Sequence, residues 1–190
     1  MLILASSSPR RAELLQQLNI EFIQRAADID ETALEGENPE QMVLRLAIAK
    51  AKEVLEKSPH GQFALGSDTI GLLNGKVLVK PTDKTDFVQM MRSMSGQVHQ
   101  VLTSVALCTA NEHRALCVTS DVEFKELGDV EIEWYWASGE PQDKAGGYAI
   151  QGLGAQFVKQ IKGSYSAIMG LPLYETVELM KQMGCSPYER

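Results

Sequence analysis

Three short polar clusters hold the residue types that can do chemistry in this chain: Ala5-Ser6-Ser7-Ser8-Pro9-Arg10-Arg11, Gly66-Ser67-Asp68-Thr69 and Val79-Lys80-Pro81. Each follows an apolar run that reads as a strand. Together they supply small hydroxyls, one carboxylate and three cations at strand ends. Cations and hydroxyls hold an anion, and a carboxylate among them can take a proton from water or bind a divalent cation. The combination points to a substrate that carries phosphate.

Arg10 and Arg11 fall in the first turn of a helix, where the macrodipole already places positive charge. A bound anion would offset that cost; solvated surface arginines are the plain alternative. Lys50 lies on the stripe Val43, Leu46, Ala47, Lys50, Val54. Either its stem packs on the core while the ammonium reaches water, or the ammonium points into a cleft. Lys80 is held extended by Pro81 and serves equally well as a surface lysine. Asp68 is either a turn cap or a metal ligand and base. Glu31, in Ile29-Asp30-Glu31-Thr32, is either an ordinary loop acid or a second oxygen donor. Hard oxygen ligands of this kind suit Mg2+ or Mn2+.

Other chemistries find no support. There is no G-x-x-x-x-G-K-S/T loop and no Ser-His-Asp or Cys-His arrangement. His60, His99 and His113 are scattered. Cys108, Cys117 and Cys185 have no zinc-ligand spacing and are odd in number, which fits inert thiols in a reducing compartment.

The elements that must position these residues follow from apolar period and punctuation. Leu2 to Ala5 is a buried strand. Ser8 suits an N-cap and Pro9 the first helical position, so Ser6 to Arg11 sits on a strand-to-helix turn whose N–H groups face any anion. Glu21 to Arg25 reads as a strand and Asp28 to Asn38 as an acidic loop. Asn38-Pro39 opens a long helix with Gln41 placed for a capping box. Phe63 to Gly66 is a strand ending at Asp68, and Asn74-Gly75 marks a hairpin within Ile70 to Val79. Phe87, Met90, Met91 and Met94 predict a helix stopped near Gly96. Val98 to Cys108 and Leu116 to Phe124 are long strands joined at Asn111-Glu112. Asp129 to Ala137 is a short helix. Gly139 to Gly154 reads as a functional loop with a short strand at Tyr148 to Gln151. Phe157 to Ile161 and Tyr165 to Met169 read as further strands. Pro172 starts a last helix, with Leu173, Val177 and Met180 inward and Gly184 as its stop. Helices and strands mix without strict alternation, which predicts an α/β fold with a mixed sheet.

The 190 residues suffice for one domain, read as 1–190. A net charge of -7 and a pI of about 5.0 disfavour duplex nucleic acid as a partner. Met1 to Ala5 is too short for a signal sequence, and no stretch has the length of a membrane span. A cytoplasmic protein with no membrane partner is the expectation.

Leu4-Ala5-Ser6-Ser7-Ser8-Pro9-Arg10-Arg11, Gly66-Ser67-Asp68-Thr69, Lys80-Pro81, Asp143-Lys144-Ala145-Gly146 and Gly170-Leu171-Pro172 resemble, in order, the motifs of the Maf family. The resemblance implies an elongated mixed sheet flanked by helices, often a homodimer. It also implies a divalent-cation-dependent nucleoside triphosphate pyrophosphatase that cuts between the α- and β-phosphates. The family's functional pattern falls on Ser6, Arg11, Glu31, Lys50, Asp68 and Lys80, with Glu31 and Asp68 holding the metal. The branch resembling dTTP/UTP pyrophosphatases carries arginine, threonine and glutamine where this chain has Arg10, Thr69 and Gln151; the 7-methyl-GTP branch has tryptophan, glutamine and glutamate there. A glutamine amide offers a donor and an acceptor to the N3–H and carbonyl edge of uracil or thymine. Modified pyrimidine triphosphates, such as 5-methyl-UTP or pseudouridine triphosphate, belong to the substrates so implied; their removal would keep them out of nucleic acids. A nucleotide-binding regulator of septum formation with little turnover is the alternative of a different class.

Overall fold

The computed structural model describes residues 1–58 and 63–188, so His60 lies outside the described residues. Strand β1 (Leu2–Ala5) leads to helix α1 (Pro9–Gln16), β2 (Phe22–Arg25) and the long helix α2 (Pro39–Glu56). Then come β3 (Phe63–Leu73), β4 (Lys76–Leu78), α3 (Lys84–Met94), β5 (Val98–Cys108), β6 (His113–Phe124) and α4 (Asp129–Ala137). Short 3-10 turns occupy much of residues 140–157, followed by β7 (Val158–Lys162), α5 (Tyr165–Met169) and α6 (Leu173–Gln182). Among the described residues the strands form a seven-stranded sheet in the order β2-β1-β3-β5-β6-β7, with β4 paired to β3. β1 runs parallel to β2 and to β3, whereas β3–β4 and β6–β7 are antiparallel. The fold is therefore α/β with a mixed sheet.

Contacts divide the chain into two compact units. The first holds residues 1–69, 103–118 and 170–190; the second holds 70–102 and 119–169. β3, β5 and β6 each run from one into the other.

In the first unit β1 is buried along its whole length, as a parallel strand covered on both faces must be. α2 lays the row Val43, Leu46, Ala47, Lys50, Ala51 and Val54 inward. Val54 packs on Ile3 and Ala5, and Ala51 on Ala64 and Cys108. Asn38 and Gln41 form the expected capping box, each side chain satisfying the other's backbone N–H. Gly184, in the left-handed region at φ 69°, ends α6 as expected, and the Cys185 N–H closes the turn onto the Met180 carbonyl. Ser8 stands at the α1 N-cap position, but its hydroxyl makes no capping bond. Burial pushes the Cys108 and Cys117 thiols up to about 11, so these two free thiols are poor nucleophiles.

The second unit is built on Phe87, Met91 and Met94 of α3, Tyr135 of α4, Phe124 of β6, and Tyr148 and Phe157. Aromatic edges meet faces within it: Phe124 and Tyr148 lie 4.8 Å apart, Tyr135 and Phe157 5.0 Å. Two expectations fail here. Tyr165–Met169 is a helix, because the Ser164 hydroxyl accepts the Ala167 N–H and its carbonyl accepts the Ile168 N–H; local capping overrides β-propensity. Tyr148 to Gln151 forms no strand, since the preceding Gly146 and Gly147 turn the chain through positive φ.

His99 of β5 sits in this core, 1% exposed, with Nε2 2.8 Å from the Tyr148 hydroxyl. Its Nδ1 has no partner among the described residues. Burial pulls its pKa down to about 4. An unfolded histidine titrates near 6.5, so between these values the unfolded chain binds a proton that the folded chain refuses. Stability is complete above pH 6.5 and falls as the pH drops toward 4, by up to about 3 kcal/mol from this one group. Urea unfolding at a series of pH values should show that slope, and His99→Gln should flatten it.

Candidate active site

The site in the first unit begins with a close approach. Gly66 of β3 faces α2 so tightly that a Cβ there would lie 2.0 Å from the Ala47 carbonyl oxygen and 3.0 Å from the Ala51 N. A glycine inside a strand pattern often marks such a contact. Ala47 and Ala51, the small residues on the facing helix, admit it, and one turn of α2 then sets Lys50 beside Asp68.

Lys50 does not reach out to water. Its ammonium donates to Asp68 Oδ1 at 2.7 Å and lies 3.0 Å from Glu31 Oε1. Lys50 and Asp68 side chains are each about a tenth exposed, whereas Glu31 is more than half exposed. Asp68 is not at a strand end, as its sequence surroundings suggested, but within the unbroken strand β3. The turn-like Gly66-Ser67-Asp68 run stays extended because Ser67 and Asp68 are satisfied by distant parts of the chain. The Ser67 hydroxyl lies 2.7 Å from the Ser104 carbonyl and 2.8 Å from that of Gly170. The Ser104 hydroxyl donates to the Val43 carbonyl of α2.

The loop that carries Glu31 is held by α2. Arg45 grips the Glu37 carboxylate with Nε and Nη2 at 2.6 and 2.7 Å, and its Nη2 also donates to the Thr32 carbonyl at 3.0 Å. This two-pronged bond holds the Glu37 carboxyl down to about 2. The Thr32 N–H in turn binds Asp30 Oδ1. None of these partners was visible in the sequence pattern.

The two adjacent arginines differ. Arg11 donates from Nε to the Gly170 carbonyl at 2.8 Å, from Nη2 to Thr69 Oγ1 at 3.2 Å and from Nη1 to Ser6 Oγ at 3.4 Å. Gly170, at φ 119°, turns its carbonyl toward both Arg11 and Ser67. Burial lowers the Arg11 pKa from its ordinary value; the Asp68 charge acts the other way. Arg10 makes no hydrogen bond or ion pair among the described residues, and its charge acts on Arg11, lowering that group's pKa further. Thr103 Oγ1 donates to Thr69 Oγ1 at 3.1 Å, fixing that hydroxyl from behind. Ser6, Arg11, Glu31, Lys50, Asp68 and Thr69 are thus brought together in this unit, with Arg10 next to Arg11.

Lys80 and Gln151 belong to the second unit. Lys80 is exposed two residues after β4, next to Val79, whose carbonyl accepts the Gly146 N–H. Gln151 is exposed in a turn closed by the Gly152 N–H on the Ala149 carbonyl. Glu140 lies beneath that turn, bonded to Tyr135, Leu153 and Gly154. Burial raises the Glu140 pKa, but those hydrogen bonds outweigh it and leave the carboxyl below its ordinary value.

Glu31 and Asp68 suit a divalent cation. Both are hard oxygen donors and both converge on one positive centre, the Lys50 ammonium. Among the described residues no three His, Cys, Asp or Glu side chains form a protein-only metal cluster. An ion here would therefore complete its shell with water and substrate oxygens, as Mg2+ commonly does.

A family model described as Maf-like protein matches residues 1–183. The chain is similar to curated proteins along almost its whole length. A protein of Pseudoalteromonas atlantica named dTTP/UTP pyrophosphatase is 50% identical over 186 residues, 96% of this chain and 97% of that protein. A protein of the same name from Pseudoalteromonas translucida is 51% identical, covering 94% of each chain. Another from Shigella dysenteriae is 49% identical over 94% of this chain and 91% of its own length. Among solved structures, the Ham1 protein of Staphylococcus aureus overlaps with a TM-score of 0.48 at 11% identity, covering 82% of this chain and 92% of that one. No described helix is long and apolar enough to cross a membrane.

Because the Gly66 contact sets the distance between Lys50 and Asp68, Gly66→Ala should unfold about 3 kcal/mol more easily in urea, the range of an overpacked core. The same substitution on the open turn at Gly75 meets nothing within 4 Å and suffers only its positive φ. The Gly66 variant should show the larger loss.

Proposed function

The chain belongs to the Maf family, and from that footing we propose that it is a pyrophosphatase converting dTTP and UTP to the monophosphate and pyrophosphate. The observation that carries this reading is the buried Asp68 carboxylate bound to Lys50, with Glu31 on the same ammonium. A protein that only bound a nucleotide would have little need of an acid placed where it can take a proton. The shared name of relatives about half identical along almost the whole chain supports the same substrate class.

In the proposed reaction a water oxygen attacks the α-phosphorus. The bond from that phosphorus to the bridging oxygen breaks, and pyrophosphate leaves with the oxygen. Asp68 accepts the proton of the attacking water. Glu31 and Asp68 would hold a Mg2+ or Mn2+ ion, which when bound screens phosphate charge and makes water more acidic. Lys50 and Arg11 stabilise the negative charge that shifts onto the leaving phosphates. Ser6 and the N–H groups at the start of α1 cradle phosphate oxygens. Arg10, whose guanidinium has no hydrogen-bond partner among the described residues, and Thr69 contribute to substrate choice. Lys80 we assign to phosphate charge, and Gln151 to the base edge, from their side-chain chemistry. Modified pyrimidine triphosphates fit the same reading, since N3–H and its flanking carbonyls survive modification at C5.

Purified protein with dTTP and Mg2+ should release pyrophosphate and dTMP; absence of release with both dTTP and UTP would end the proposal. Asp68→Asn preserves shape and removes the proton acceptor, so kcat should fall by about 10²-fold or more. Turnover at the unaltered rate would remove Asp68 from that role. Gln151→Glu exchanges a donor for an acceptor and should lower the preference for dTTP and UTP across a nucleotide panel.

A further inference from the structure

The turn that carries Gln151 is held from below by two side chains, Tyr135, which is buried, and Glu140, which is half-buried. Ala149 opens the turn and Gly152 closes it, with Ile150 and Gln151 between them. Ile150 is buried and Gln151 exposed, so the turn has one side chain rooted and one presented. The Tyr135 hydroxyl accepts the Ala149 N–H at 3.1 Å on the entering side. The same hydroxyl donates to Glu140 Oε1 at 2.6 Å. Glu140 then accepts the two N–H groups on the leaving side, Leu153 at 2.9 Å through Oε2 and Gly154 at 3.0 Å through Oε1. Tyr135 is fully buried, so its hydroxyl cannot trade these partners for bulk water.

The glycines around the turn fit the clamp. A Cβ at Gly152 would lie 2.2 Å from Glu140 Oε2, and one at Gly154 would lie 2.7 Å from the Tyr135 hydroxyl. The backbone therefore presses directly onto the carboxylate and the phenol. Every donor and acceptor in this arrangement belongs to the second unit and is anchored on α4 and the turn after it.

We propose that Tyr135 and Glu140 are positioning residues for base recognition, fixing the turn that presents Gln151 and thereby setting the pyrimidine preference without touching the nucleotide. The proposal rests on the assignment of Gln151 to the base edge. A glutamine amide can discriminate only if its donor and acceptor arrive together at fixed places. A displacement of about 1 Å in such a group is felt strongly in rate. With the clamp cut, the turn relaxes and the amide samples several orientations, so discrimination is lost before hydrolysis is.

The test is the ratio of kcat/KM for dTTP to that for dGTP, measured with Mg2+ for Tyr135→Phe, Glu140→Gln, the double variant and Gln151→Ala. The single clamp variants should lower the ratio about tenfold, chiefly through a higher KM for dTTP. The double variant should lower it about as far as either single one, because both cut the same support. General loosening of the fold would lower both substrates alike and leave the ratio intact. A ratio held within twofold in the clamp variants, while Gln151→Ala lowers it, overturns the clamp and leaves the Gln151 assignment standing. An unaltered ratio in Gln151→Ala overturns both. If Glu140→Gln does not fold, as thermal melting would show, Tyr135→Phe, which deletes one oxygen, decides the question.

Discussion

One ammonium group joins two carboxylates in the first unit, and much of that unit is arranged to make this possible. Lys50 draws Asp68 and Glu31 toward a single point although the two acids repel each other. Removing one member of such a buried pair typically costs 3–5 kcal/mol, because its partner keeps its charge and loses its compensation. Holding the group in place needs three separate supports. α2 must lie close on β3, and Ser67 and Ser104 must tie the strand to its neighbours. Arg45 must keep the Glu31 loop folded back. The two carboxylates and one ammonium leave a net negative charge, which the Arg11 guanidinium feels from both Asp68 and Glu31.

The neighbouring arginines show how one helical turn divides labour. Residues adjacent on a helix point about 100° apart, from about 3.6 residues per turn. Arg11 turns inward and donates to Gly170, Thr69 and Ser6, becoming part of the frame. Arg10 makes no hydrogen bond or ion pair among the described residues. The unfavourable placing of cations at a helix start is thus answered within the fold for Arg11.

Elements defined by local signals were legible in the sequence. The capping box of α2, the Asn74-Gly75 hairpin and the Gly184 stop each need only a few consecutive residues, and each stands where read. One failure falls where distant partners decide. Gly66-Ser67-Asp68 reads as the end of a strand because small and polar residues favour turns. It continues as β3 since Lys50, Ser104 and Gly170 satisfy it from 18, 37 and 103 residues away. Tyr165–Met169 reads as a strand by composition and is a helix by virtue of one capping serine. In the site, the motif residues were legible by type, but the fate of Lys50 was open between water and cleft until Asp68 was seen beside it. Arg45 and the Tyr135–Glu140 pair left no sequence signal, since a charged or aromatic residue on a helix looks the same whether or not it braces a loop.

The contact between β3 and α2 at Gly66 is made by main-chain atoms on the helix side. Every amino acid at position 47 presents the same carbonyl oxygen, so no replacement there can make room for a side chain at 66. Most crowded pairs in a protein core can drift together over generations, one residue shrinking as the other grows. This pair has no such path: a lineage that loses the glycine must move the whole helix or recover the glycine itself.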